Sequence, residues 1–387
     1  MSRDIHEFLT TSCTLLALGE STHREHSIAW LRNELFAELA QDHGFASIAL
    51  ETDRVAGLLV DDYVRRGIGD LDTVMCAGFS HGFGEFPANR QLVIRMREHN
   101  EKLPPHRRLA FHGFDAPLET MSAPSPRRYL EYAREYLGYD VDPVELLGDD
   151  EQWSRTEAVL NPSASVGACP EAHRLRAIAD DMCVELQLRA PELIAATSRD
   201  EWHSARTHLT AAVHLLRYHA KCARQVEEGD RLTGMCATRD ASMADNLADI
   251  RSIEAAGGAT LVFAHNAHLQ RNPSTMSMGG ETIEWSSAGA IFSALHGDAY
   301  RLIIGSLGRS AAIDLGDPAP DTFEGLLQSR TATWELTAAD TVPAGRTRTD
   351  TVPMQGCFPL DQRTLDCADA VLHVADGDAV TASLRAD

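Results

Sequence analysis

Residues 14–27 read TLLALGESTHREHS, and the run changes character at Gly19, where apolar residues give way to Glu20, His23, Arg24, Glu25 and His26. An acid and a histidine three residues apart at the end of a buried run form an acid–base pair. If a helix starts close to His23, its dipole favours neutral imidazole and lowers the pKa. A neutral histidine near pH 7 is a general base for water, and Glu20 would orient the ring and stabilise the imidazolium. The plain alternative is a helix-capping turn in which Ser21 or Thr22 is the cap and His23 is merely exposed.

Three further apolar runs end in the same way. ASIALETD delivers Glu51 and Asp53, AFHGFDAP contains His112 and ends in Asp115, and TLVFAHNAH delivers His265 and His268. Open parallel sheets bind ligands outside the carboxyl ends of their strands, so the four endings are expected to share one cleft. Burial after SIAL is expected to raise the pKa of Glu51 into a range useful for acid–base work; the alternative is an acid that ties down the strand end. Arg32 lies within an apolar helical stretch. It reads as a surface ion pair or as a fixed positive charge for a carboxylate or a developing oxyanion.

His23/His26 and His265/His268 share an i, i+3 spacing, and two histidines with a glutamate can hold zinc with a position open for water. Neither pair sits in an HExxH pattern, so no metal and no cofactor is expected. There is no GxSxG elbow, no Walker A loop and no GxGxxG after a strand, which removes the serine-hydrolase and nucleotide-binding readings. The stretch GFSHGFGEF suits a substrate loop. Histidines 203, 208, 214 and 219 do not share one helical face, so packing or solvated roles are expected for them.

The elements that must position these residues follow from periodicity. Six runs read as buried parallel strands: 14–19, 45–50, 108–114, 259–264, 301–306 and 370–375. Between the first two, Ile28, Leu31, Leu35 and Leu39 recur at helical spacing, and Gly44 suits the stop. Strand, helix, strand is the unit of a parallel α/β sheet. The expected fold is therefore α/β, a mostly parallel sheet flanked by helices. From residue 125 to 257 long helical stretches run without a strand, which reads as a helical insertion between core segments 1–124 and 258–387. Residues 307–369, rich in Pro, Gly, Asp and Thr, read as mostly loop.

The chain has 387 residues, 44% of them hydrophobic, and carries 35 Lys+Arg against 57 Asp+Glu for a formal net charge of −22. So acidic a surface disfavours nucleic acid and anionic lipid. The eight cysteines are scattered without a CxxC pair and read as thiols of a reducing compartment. The start MSRDIHEFLTTS lacks the apolar core of a signal peptide, and no apolar run is long enough to span a bilayer, so a cytoplasmic protein without membrane partners is expected.

LGESTH, IALETD followed by VDDYVRRG, RMREHN, FHGFD, RDASMADNL and FAHNAHL…MGG occur in an order that resembles the erythromycin esterase family, over roughly residues 14–310. The resemblance implies a parallel-sheet core with a helical insertion and a deep cleft at the strand ends. It also implies hydrolysis of a macrolide lactone by histidine-activated water, with no demonstrated metal requirement. By position it makes His23 the base, supported by Glu20, with Arg32, Glu51 and His265 completing the catalytic set. His268, Asp115, His112, Arg54 and Arg90 are expected to bind a small-molecule ester or lactone. The chain departs from the family at Arg24, where glycine is common, at Ser27, where glutamate is, and at GFSHGFGEFPANRQ, which replaces a tryptophan-rich loop. Two other readings use the same residues: a metal- or haem-binding protein of this fold, and a tailoring enzyme acting on acyl groups. Oligomeric state is not read from the sequence.

Overall fold

The computed structural model describes residues 5–119, 121–278 and 280–386. The six expected strands form as β1 (Leu15–Glu20), β2 (Phe45–Asp53), β3 (Ala110–Asp115), β4 (Ala259–His265), β7 (Tyr300–Arg309) and β9 (Ala370–Asp376). Three more lie outside the expectation. β5 (Ser274–Met278) and β6 (Glu281–Trp285) make a separate hairpin, and β8 (Trp334–Ala338) is an antiparallel edge strand on β9. The main sheet runs in the order β3-β2-β4-β1-β7-β9-β8, and every pair in it except β8·β9 is parallel.

Continuous apolar runs suit these strands because both faces of the sheet are covered. Leu16, Leu18, Ile48, Leu50, Leu261 and Phe263 point to the face packed by the helices Ser27–Asp42 and Pro87–Glu101. Their alternates Leu15, Ala17, Ala49, Val262 and Ala264 point to the other face, against Met243, Leu247 and Ile250 of the helix Glu228–Ile253. Between β3 and β4 the described chain contains only helices and connections. Tyr129, Trp153, Leu175, Met182, Leu209 and Leu215 from that stretch bury one another in a second cluster, joined by Ile283 and Trp285 of β6. His219 there is buried with Nε2 on the Pro124 carbonyl, and His208 stacks on Tyr132. No helix of the described residues is long and apolar enough to cross a membrane.

Residues 307–369 are mostly loop, as expected, with short elements set into them. β7 extends to Arg309, and helices Phe323–Gln328 and Gln362–Cys367 flank β8. β8 reads weakly because it is five residues long and carries a buried glutamate, Glu335. The rest of that tail matters at the site. Phe358 N–H donates to the Ser21 carbonyl at 2.8 Å, and Thr22 Oγ1 donates to the Gln355 carbonyl at 2.7 Å, so the tail is tied to the turn after β1.

Gly19 is required by close approach. A Cβ there would lie 2.0 Å from Asn266 Oδ1, and Asn266 bridges to β7 by donating to the Gly305 carbonyl and accepting its N–H, at 2.8 and 3.0 Å. Gly19→Ala is expected to destabilise the fold by about 1–3 kcal/mol through overpacking, measured by urea unfolding, and to lower activity by shifting the neighbouring histidines. A variant as stable and active as the parent would contradict this.

Candidate active site

The strand order puts the ends of β3, β2, β4 and β1 side by side, and the register pairs Glu20 with His265 and Asp53 with Asp115. Glu51 is the hub. It is 4% exposed, and Oε2 accepts the His265 backbone N–H at 2.9 Å. Oε1 accepts from the Arg239 guanidinium at 3.1 Å and lies 3.3 Å from His268 Nε2. His23 Nε2 is 3.6 Å from Oε2. Burial pushes this carboxyl up, but the charges of His268, His23 and Arg239 override it and hold Glu51 well below the usual carboxylate range. The expected upward shift is therefore reversed; the sequence run shows the burial and hides the three cations.

His23 also departs from expectation. The following helix begins at Ser27, where Glu25 accepts the backbone N–H of Ser27 at 3.0 Å, so His23 sits in the turn before it. Its Nδ1–H donates to Glu20 Oε1 at 2.6 Å. Burial lowers the proton affinity of the ring, yet Glu51 and Glu20 raise it to about 9, the opposite of the dipole effect anticipated. Glu20 itself is pushed upward by burial, against the pull of His23.

His265 lies beside it, ring centroids 5.2 Å apart, with the opposite character. Burial, then the charge of His23, pushes its pKa down to about 3, so the ring is neutral. Its Nδ1 accepts the Ala267 N–H at 3.2 Å, which leaves the proton on Nε2, 3.3 Å from the Gly356 carbonyl. A charged and a neutral imidazole thus stand side by side. Among the described residues no group of three or more His, Cys, Asp or Glu side chains is arranged to hold a metal ion.

Arg32 is no surface residue. It is 1% exposed, donates to Asn89 Oδ1 at 2.9 Å and to Asn33 Oδ1 at 2.7 Å, and lies 4.7 Å over the Phe263 ring. Burial lowers its pKa to about 9, opposed by Glu20. Together with Glu20 and Glu51 it lines a cavity of about 20 Å³, room for about one water, walled by Phe79, Phe83 and Phe86. Phe83 and Phe86 come from GFSHGFGEF; Phe83 packs 5.0 Å from His23, and Phe86 packs 4.4 Å from His26.

Residues 40–373 match the family model described as erythromycin esterase. The chain belongs to the erythromycin esterase family. It is 24% identical over 264 residues to erythromycin esterase type II of Escherichia coli, covering 67% of this chain and 61% of that protein. The chain thus spans about three-fifths of that relative's length. Among solved structures it resembles a mutant of the erythromycin esterase EreC in its open conformation, with TM-score 0.69, 18% identity and coverage of 96% of this chain and 94% of that one. A Bacillus cereus protein (0.64, 16%, 94% and 89%) and a succinoglycan biosynthesis protein (0.65, 15%, 95% and 88%) share the fold. The family match includes Glu51, Arg239, His265 and His268 and begins after Glu20, His23 and Arg32.

Not every residue expected to bind substrate reaches this centre of the esterase-family fold. Asp115 is fully buried and holds Arg239, with contacts of 3.1, 3.2 and 2.6 Å; burial raises its pKa, but Arg239 and His81 bring it down to about 2. Arg54 and His112 bond each other at 2.9 Å, and they continue to Asp249 and Glu254 in a buried network on the helix face of β3. Arg90 pairs with Asp72 on the surface. None of these three lines the cavity; His23, His265 and His268 do not line it either, His23 meeting its wall at Phe83. Arg54 follows β2 and His112 lies in β3, whereas Arg90 is on the helix Pro87–Glu101; the side chains of all three are taken up by other partners. Conversely, the reading of single residues missed Arg239 and Asp240. Both lie in RDASMADNL, which marks the family without revealing that its helix crosses the strand ends. It also missed Gly356 and Phe358 of the tail, the latter with its ring 6.0 Å from that of His265.

Proposed function

We propose that the protein is a carboxylic-ester hydrolase in which His23 activates water, with macrolide lactones as the leading substrate class. The observation that carries this reading is the pairing of His23, held by Glu20 through Nδ1, with a neutral His265 that keeps its proton on Nε2. The names of the E. coli relative and of EreC support the substrate class.

In this mechanism His23 Nε2 takes a proton from water as the oxygen attacks the ester carbonyl, and Glu20 and Glu51 stabilise the imidazolium. His265 Nε2–H leaves the Gly356 carbonyl to donate to the developing oxyanion. Collapse of the tetrahedral intermediate breaks the acyl C–O bond, and His23 returns its proton to the leaving alkoxide, giving one acid and one alcohol. Arg32 acts from behind, opposing the burial that would protonate Glu20. The free cysteines suit the reducing cytoplasm as the setting.

A base flanked by two carboxylates is strong but mostly protonated at neutral pH. The rate is therefore expected to climb with pH through an apparent pKa near 9. Glu20→Gln removes one of the two charges and is expected to move that limb lower by about 1–3 pH units. The check is a pH–rate profile of kcat/KM on a macrolactone. A wild-type limb at or below the free-histidine value of about 6.5 would refute this account of the base.

A further inference from the structure

His268 meets a second carboxylate besides Glu51. Asp240 lies on the helix Glu228–Ile253 and is 1% exposed. His268 Nδ1–H donates to Asp240 Oδ1 at 2.6 Å, and the Trp285 indole N–H of β6 donates to Asp240 Oδ2. The other ring nitrogen of His268 lies 3.3 Å from Glu51 Oε1. The side chains therefore alternate acid and base in one line: Asp240, His268, Glu51, His23, Glu20.

We infer that Asp240 is a positioning residue for the hydrolysis: braced by Trp285, it holds His268 as an imidazolium against Glu51, so that Glu51 stays ionised opposite His23. This rests on the proposed esterase reading for its kinetic arm only. One ring nitrogen of His268 is hydrogen-bonded to a carboxylate, and a second carboxylate stands 3.3 Å from the other nitrogen, an ion-pair distance that favours a proton on both nitrogens. The groups facing His268 are Asp240 and Arg239 from the helix, Glu51 from β2 and His265 from its own turn. Burial and Arg239 act against the second proton; Asp240 and Glu51 outweigh them and raise the pKa. Asp240 is the larger of the two carboxylate contributions, and without it the proton affinity of His268 falls. The charge on His268 would weaken, and with it one of the cations that keep Glu51 anionic.

The consequence differs from that of a residue which only packs. Asp240→Asn keeps the shape and can keep the indole bond but removes the charge. Its effect should appear in kcat and in protonation, with KM changing less than about twofold because no substrate contact is removed.

The test has two arms. In the first, nitrogen-15 NMR of the histidine rings of the intact wild-type chain, with His268 assigned by its loss in His268→Gln, should show both His268 nitrogens protonated at pH 7. In Asp240→Asn the ring should deprotonate about 1–3 pH units lower. A neutral His268 in the wild type overturns the inference, whether or not the variant folds and whether or not an ester substrate is found. In the second arm, Asp240→Asn should lower kcat about tenfold or more, below the 10²–10⁴ of a general base. The same change made in His268→Gln should have no further effect. An equal loss in that background would mean that Asp240 acts by some route other than His268, and the inference would fall.

Discussion

His23→Ala is expected to lower kcat on an ester or macrolactone substrate by about 10² to 10⁴, the usual contribution of a general base, with the fold intact. In the proposed reaction the base acts on water and not on substrate binding, so KM should change little. The side chain is partly exposed and its partner Glu20 gains a neutral neighbour, so unfolding should remain cooperative. Arg90→Ala is the control. Its guanidinium pairs with Asp72 at the surface, and full activity is expected of it. Equal activity of His23→Ala and Arg90→Ala would show that His23 is not the base.

Glu51→Gln should be nearly as damaging, and for a different reason. The amide can still accept the His265 N–H, but it cannot balance Arg239, His268 and the imidazolium that forms at His23. Breaking a buried ion pair by removing one partner costs about 3–5 kcal/mol. Here Arg239 keeps Asp115 and His268 keeps Asp240, so the lower end, about 3 kcal/mol in denaturant unfolding, is expected. The activity loss should be about 10²-fold or more, because the imidazolium formed in the transition state has lost its counter-charge. A variant with wild-type stability and rate would show that Glu51 is neither hub nor counter-ion.

How much of this was legible depends on where each determinant lies in the chain. The six parallel strands are visible because a strand buried on both faces must be apolar throughout, and TLLALG or ATLVFA are little else. The clustering of Glu20, His23, Glu51, His265 and His268 is visible for the same reason, since strand polarity forces those ends together. The hairpin β5·β6 was not visible, because STMSM is largely exposed and alternates weakly. Protonation states were the least legible. His23 was read from one neighbour and an assumed helix start, whereas its proton affinity is set by Glu51, which lies 28 positions away and can be placed only by the β2·β4·β1 pairing. Arg239 and Asp240 come from a helix far along the sequence, and nothing within RDASMADNL says that it lies over Glu51. Arg54 and His112 fail in the opposite sense: their places after β2 and in β3 are right, but buried partners on a helix claim them.

In the proposed reaction, water activated at His23 adds across an acyl–oxygen bond. Its most direct test is to incubate the protein with a panel of macrolactones and simple esters in water enriched in oxygen-18, and to follow product masses. The account predicts one heavy oxygen in the new carboxylate of at least one substrate, lost in His23→Ala and kept in Arg90→Ala. Loss of water from the substrate by elimination, incorporation that persists in His23→Ala, or no turnover across the panel would contradict it.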